Sequence, residues 1–160
     1  MQIRVSPEGF SDWSQLVGLV RDSFAYMDSR IDPPSSIKKM SIDEFKAKAA
    51  AETLILVEDG KEIIGCAFAA IRDDCVYVGK VAVAQSVRGQ GVARAMFAAA
   101  EELARMHGRR FLELQTRVEL VENHATFAAL GFNKTGESAH EGYSRPTSIT
   151  MRKAVAAGAA

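Results

Sequence analysis

The stretch Val81-Ala82-Val83-Ala84-Gln85-Ser86-Val87-Arg88-Gly89-Gln90-Gly91-Val92-Ala93 constrains the fold more than any other part of the sequence. An apolar strand ends, a polar loop with two glycines follows, and an alanine-rich helix begins. The helix reads from Val92 to Met106, with Val92, Met96, Ala99, Leu103 and Met106 along one face. Gly108 supplies its stop. Phe111 to Thr116 then reads as a strand. A strand, loop, helix and strand of this length form a crossover, so Cys75–Ala84 and Phe111–Thr116 are expected to run parallel.

The remainder of the chain builds a sheet around that pair. Gln2 to Ser6 reads as an edge strand closed by Pro7. A helical pattern starts at Phe10, with Trp13, Leu16, Val17, Val20 and Phe24 at spacings of three and four, and Ser11 or Asp12 suits its cap. Asp32-Pro33-Pro34 ends it. Ser41 and Glu44 have the spacing of a capping box, opening a helix toward Ala51. Thr53–Val57 and Glu62–Ile71 flank Glu58-Asp59-Gly60-Lys61 as a hairpin. Arg72-Asp73-Asp74 turns into the strand Cys75–Ala84, which gives an antiparallel meander. Asn123 to Leu130 reads as a helix stopped by Gly131, before strands near Phe132–Ser138 and Thr147–Lys153. The expected fold is a mixed α/β (α+β) sheet of six to seven strands. It is mostly antiparallel with a central parallel pair, and helices cover both faces. Residues 1–153 form one domain, as 160 residues allow, and 154–160 read as a flexible alanine-rich tail.

Composition bears on partners, and neither nucleic acid nor a membrane is expected. Twenty Lys and Arg balance twenty Asp and Glu, so no global charge draws the chain to nucleic acid or to an anionic membrane. No apolar run reaches transmembrane length, and MQIRVSPEGF lacks the apolar core of a signal peptide. Two cysteines, Cys66 and Cys75, read as free buried thiols in a reducing compartment, and the expected location is the cytoplasm. His107, His124 and His140 are too widely spaced for a local metal motif, so no metal site is expected.

The glycine loop has a chemical reading. Unpaired N–H groups at a helix start carry positive potential, and glycines let a backbone approach a ligand closely. Together with Arg88 they suit a phosphate or pyrophosphate. The same glycines also suit a plain tight connection. A dinucleotide fingerprint needs Gly or Ala where Arg94 stands and an acid near Arg109, and a Walker loop needs Gly-Lys-Ser/Thr; neither is present.

Arg88-Gly89-Gln90-Gly91-Val92-Ala93 resembles the Arg/Gln-x-x-Gly-x-Gly/Ala signature of the GNAT superfamily of acyl-CoA-dependent N-acyltransferases. The preceding VAV strand and the downstream NHATFAALGF segment, Asn123 to Phe132, resemble that family in order and spacing. The resemblance implies acetyl-CoA as acyl donor, with Val81, Ala82 and Val83 lying along the pantetheine arm. It implies that amides from Arg88 to Ala93 cradle the pyrophosphate and that the Val83 N–H meets the thioester carbonyl. Asn123 matches a residue that contacts the cofactor in similar proteins, and it equally suits a helix N-cap. Phe127 falls among the cofactor-site positions, where many members carry the tyrosine that protonates the leaving thiolate. A phenyl ring has no proton to give. The resemblance therefore implies either an N-acetyltransferase acting on a small-molecule amine or a peptide amino terminus, or a weak or inactive acyl-CoA-binding sensor of the same fold. Similar proteins often pair as homodimers, though no interface is readable here.

Several side chains are candidates for the remaining roles. Tyr77, Tyr143 and His124 are candidate acids. Glu113 and Gln115 lie along a strand that flanks the site, and Glu113 is the candidate base; its plainer role is an ion pair with Arg109 or Arg110. Tyr26, Asp28 and Asp32, in the connection between the first two helices, are candidate acceptor contacts, because aspartates attract a cationic amine. Capping a turn is their plainer role.

Overall fold

The structure, a computed structural model, describes residues 1–156. Its first strand, β1 (Gln2–Val5), is followed by helix α1 (Trp13–Ala25), whose start is fixed by the Asp12 carboxylate accepting from the Gln15 N–H. Helix α2 (Ile42–Ala51) opens on the expected capping box between Ser41 and Glu44. Strands β2 (Thr53–Asp59), β3 (Glu62–Ile71) and β4 (Cys75–Val83) form the meander. Helix α3 (Val92–Met106) leads to β5 (Phe111–Arg117), then α4 (Val121–Ala129), β6 (Asn133–Ser138) and β7 (Ser148–Ala154).

The strands make one seven-stranded sheet in the order β1-β2-β3-β4-β5-β7-β6. Every neighbouring pair is antiparallel except β4 and β5, which are parallel, as the crossover requires. Helices cover both faces. Leu16, Val17 and Val20 of α1 and Phe45 of α2 pack on Leu54, Leu56, Cys66 and Phe68. On the other face Val92, Met96, Phe97, Ala100 and Leu103 of α3 pack on Ile55, Val57, Val76, Val78, Leu112 and Leu114. The two sets alternate along β2 from Leu54 to Val57 and along β3 from Cys66 to Ala69, as a period of two dictates. Each fully buried aliphatic side chain contributes roughly 1.5–3 kcal/mol.

Most boundaries fall within a few residues of the sequence expectation, and two of the differences matter for the site and the chain end. Helix α4 starts at Val121 with Leu120 as its cap residue, so Asn123 stands inside the first turn and does not cap the helix. The last strand runs to Ala154, beyond Lys153. Val155 then donates its N–H to the Arg110 carbonyl and the Ala156 carbonyl accepts from Arg105. Backbone pairing thus continues into the segment read as tail; residues 157–160 lie outside the described residues.

Cys66 and Cys75 are unpaired and buried. Burial alone pushes the Cys66 thiol up to about 12. A bulky disulfide reagent at pH 8 is therefore expected to label neither thiol in the native protein and both after denaturation. Thiol counting with and without denaturant checks this.

Candidate active site

The site forms where the parallel pair separates. Strands β4 and β5 pair only through Cys75–Phe111, Val76–Leu112 and Tyr77–Glu113. Beyond those residues they diverge, and no β5 residue pairs with β4 from Val78 to Val83. A register shift against β3 accompanies the divergence. Cys66 faces Ala82 but Phe68 faces Gly79, and Lys80 in the bulge has φ +49°. Bulges of this kind bend a strand and re-aim its side chains. The Ala84 N–H donates to the Ile64 carbonyl on the β3 side. Strand alternation then turns the Val83 N–H toward the open edge, while Val81 stands in the bulge itself. That edge suits an extended ligand that adds to the sheet like a strand.

At the open end of β4 stands the glycine loop. Gly89 and Gly91 have φ +79° and +86°, values that favour glycine, and a Cβ at either would meet nothing within 4 Å. Gly91 is the N-cap residue of α3 and no side chain caps that helix. The first N–H groups of α3 therefore have neither an intrahelical nor a side-chain acceptor, and they face open space. A pyrophosphate fits this cradle: donors without acceptors, positive potential and no side-chain obstruction.

A cavity of about 260 Å³ lies in the splay. Tyr77, Gly79, Lys80, Gln115, Arg117 and His140 are among its lining residues, with Phe24, Met27, Ile31, Leu114 and Leu120 as its apolar wall. Asn123 and Phe127 line it as well. Asn123 offers its Nδ2 to the Met27 sulfur at 3.9 Å. Phe127 packs edge-on against Phe97 and Phe132, with ring centroids 5.9 and 6.2 Å away. Tyr77 sits at the vertex of the splay beneath the Arg72 guanidinium, 4.1 Å from its ring centroid, and burial raises its phenol above the ordinary value. His140 has its Nδ1 against the Thr147 hydroxyl, while Thr147 also accepts from the His140 N–H at 2.9 Å. Its Nε2 has no partner among the described residues. Burial, then the nearby Arg117 charge, lower the imidazole below its ordinary value.

Three loops are tied over this cavity by polar contacts. Arg30 pairs with Glu122, and that hydrogen bond holds the Glu122 carboxyl down at about 2. Asp32 accepts from the Tyr143 hydroxyl at 2.6 Å and from Arg145 at 3.1 Å. Glu119 accepts from the Asp32 N–H at 3.1 Å, and Arg117 donates to the Pro33 and Pro34 carbonyls at 2.6 and 3.4 Å.

The structure thus gathers some of the sequence candidates and scatters others. Val81, Tyr77, Asn123 and Phe127 line the cavity. Glu113 does not. Its partners are Arg152 at 3.0 Å and Arg72 at 3.3 Å, and neither Arg109 nor Arg110, because the β5–β7 register sets Arg152 directly opposite it. Tyr143 is committed to Asp32 on the rim, and that hydrogen bond raises its phenol. Asp28 pairs with Lys38 at 3.2 Å beside a neighbouring cavity. Tyr26 lies under Arg88, whose guanidinium is 4.9 Å from the ring centroid, and the two line a separate cavity beside Val83 and Ala84. His124 spends its Nε2 on the Arg117 carbonyl. Sequence reasoning missed Lys80, Arg117 and His140. Arg117 follows Glu113 and Gln115 in one alternating row of β5, and Lys80 interrupts an apolar strand, so both had a signal. His140 had none.

A splayed parallel pair with a glycine cradle at its mouth suits a long phosphate-bearing ligand lying along the open strand edge. The acetyltransferase (GNAT) family model matches residues 13–132, well over half of the chain, and the chain belongs to that family. Acetyl-CoA is the donor that membership implies. No relative is found among curated proteins. Among solved structures, the PaiA N-acetyltransferase of Thermoplasma acidophilum in complex with coenzyme A is 12% identical with a TM-score of 0.79, covering 96% of this chain and 99% of that one. An aminoglycoside 6'-N-acetyltransferase complexed with coenzyme A is 14% identical with a TM-score of 0.76 and full coverage of both chains. The ribosomal-protein-S18-alanine N-acetyltransferase of Escherichia coli is 15% identical with a TM-score of 0.64, covering 99% and 97%. At these identities the likeness is one of fold. No helix of the described residues is long and apolar enough to cross a membrane.

Proposed function

We propose that the protein transfers the acetyl group of acetyl-CoA to the primary amine of a small molecule by direct attack in a ternary complex. The observation that carries this is the cavity in the β4–β5 splay, which places titratable side chains beside the open edge of β4. Its 260 Å³ is at the small end for ligand sites, which favours a small acceptor over a peptide amino terminus. Bound there, acetyl-CoA supplies an activated thioester whose C–S bond gives way to an amide C–N bond.

The chain's own groups do the rest. The free amides at the start of α3 and the Arg88 side chain hold the pyrophosphate, the Gln90 N–H being spent on the Val87 carbonyl, and Val81 and Val83 present main-chain groups to the pantetheine arm. The Val83 N–H is aimed at the edge where a carbonyl would lie, and a fixed donor there lowers the barrier. His140 takes the amine proton through its unpartnered Nε2. Tyr77, protonated at neutral pH, is the donor to the departing thiolate in place of the phenol that Phe127 lacks. Glu113 and Tyr143 are left to hold the strands and the rim. The setting we propose is the cytoplasm, where unpaired thiols such as Cys66 and Cys75 persist.

The non-catalytic sensor alternative rests on Phe127 alone. A pH profile separates the two. With His140 as base, kcat/KM falls as pH drops through an apparent pKa at or below the ordinary 6.5, because the protonated imidazole has no lone pair. His140→Ala is expected to cost about 10²-fold or more in kcat and to abolish that acid limb. Unchanged turnover in His140→Ala contradicts the assignment; tight acetyl-CoA binding with no turnover on any amine favours the sensor.

A further inference from the structure

The cavity in the splay has an unbalanced charge. Lys80, Arg117 and His140 line it, and no Asp or Glu does. The Arg117 guanidinium is held by two neutral carbonyls, those of Pro33 and Pro34, and makes no ion pair among the described residues. Asp32 is taken up by Tyr143 and Arg145; Glu119 accepts from the Asp32 N–H through one oxygen, while its other, Oε1, is buried without a hydrogen-bond partner and is the nearest negative charge acting on Arg117. Lys80 likewise has no carboxylate within ion-pair reach among the described residues; the charged groups near it, Lys48 and Glu52, pair with each other at 2.7 Å. A partly buried cation without a direct ion pair is costly, and part of that cost is recovered when an anion pairs with it. Guanidinium is also the group best shaped for a planar carboxylate.

We propose that the acceptor carries a carboxylate beside its amine, bound by Arg117 in the cavity that Lys80 also lines, so that the substrate class is a small amino acid with an apolar side chain. The apolar wall of Phe24, Met27, Ile31, Leu114 and Leu120 takes that side chain. This deepens the acetyltransferase assignment and rests on it for the amine's role, while the anion site itself does not depend on turnover.

The opposite preference has its own structural argument. Asp28 leaves its Oδ1 buried without a partner beside the adjoining cavity, which shares Phe24, Ser35 and Ile37 with the first. Glu119 Oε1 is a second such oxygen, near Arg117 and His140, and a diamine would use either, so putrescine belongs in the test.

The test compares L-phenylalanine, phenethylamine, 3-phenylpropionate and putrescine on the full chain saturated with CoA, by calorimetric binding, and the three amines by CoA release from acetyl-CoA. The expected result is that 3-phenylpropionate binds competitively with L-phenylalanine. L-Phenylalanine should exceed phenethylamine at least tenfold in kcat/KM. Arg117→Gln should bring that ratio near one while acetyl-CoA affinity stays within about twofold. Because Arg117 also ties the Pro33–Pro34 segment, Lys80→Gln is measured beside it and should lower the ratio severalfold. A preference for phenethylamine or putrescine overturns the inference and leaves the acetyltransferase assignment standing. Absence of acetyl-CoA binding overturns that assignment separately, and 3-phenylpropionate binding to the unliganded protein then decides the anion site by itself.

Discussion

Gly91→Glu is expected to lose at least 100-fold in affinity for acetyl-CoA while leaving the fold intact. Gly91 has φ +86° and a Cβ there meets nothing within 4 Å, so the free protein accommodates the larger residue at the cost of left-handed strain, about 1–2 kcal/mol. The ligand does not. The new side chain occupies the cradle in front of the α3 amides, and its carboxylate opposes phosphates where the helix field favours only one anion. Gly91→Ala separates the two effects. It carries the same strain without the charge, and should bind with a much smaller loss. Calorimetry gives the affinities and circular dichroism the fold; tight binding by Gly91→Glu contradicts the pyrophosphate assignment.

Gly65→Ala is expected to destabilise the protein by about 2–3 kcal/mol and to weaken acetyl-CoA binding as well. A Cβ at Gly65 would lie 2.6 Å from Cγ1 of Val92 and 3.4 Å from Met96 Sδ and Cε. Val92 is the first residue of α3, β-branched and stiff at χ1, and it is buried. The cheapest response is for the helix start to move off β3, and that start carries the amides of the cradle. Gly18→Ala, the same substitution in the middle of α1, should have the opposite sign. A Cβ at Gly18 meets nothing within 4 Å, so replacing a helical glycine adds about 0.5–1 kcal/mol. Denaturant melts of both variants check the pair. Equal effects would show that close packing at Gly65 is not what holds α3 in place.

Much of the fold was legible because its signals are local. Helix α3 was readable from Val92 to Met106 because its apolar face, glycine start and glycine stop agree. The capping box at Ser41 and the hairpin at Gly60 are short-range chemistry of the same kind. Asn123 misled because asparagine is a good cap in isolation; the chain turns into helix three residues earlier, at Leu120, whose side chain is buried with Met27 and Ile31. The cofactor side of the site was legible for the same reason as α3, since cradle and strand are contiguous. The acceptor side was not. It is assembled from β4, β5 and the loop before β7, and its polar ties span separations such as Asp32 to Tyr143. No local pattern encodes which of two aspartates meets a tyrosine more than a hundred residues on. Glu113 shows the same limit, because only the β5–β7 register sets Arg152 against it.

The claim that the splay and the glycine cradle hold a coenzyme A thioester is tested most directly by thermal unfolding with acetyl-CoA, CoA and NADH side by side. Ligand at about a hundred times its Kd adds roughly 2.7 kcal/mol, which raises Tm by about 5–11 °C for a chain of this size. The account predicts that shift with acetyl-CoA and CoA and none with NADH. No shift with either CoA species, or an equal shift with NADH, would contradict it.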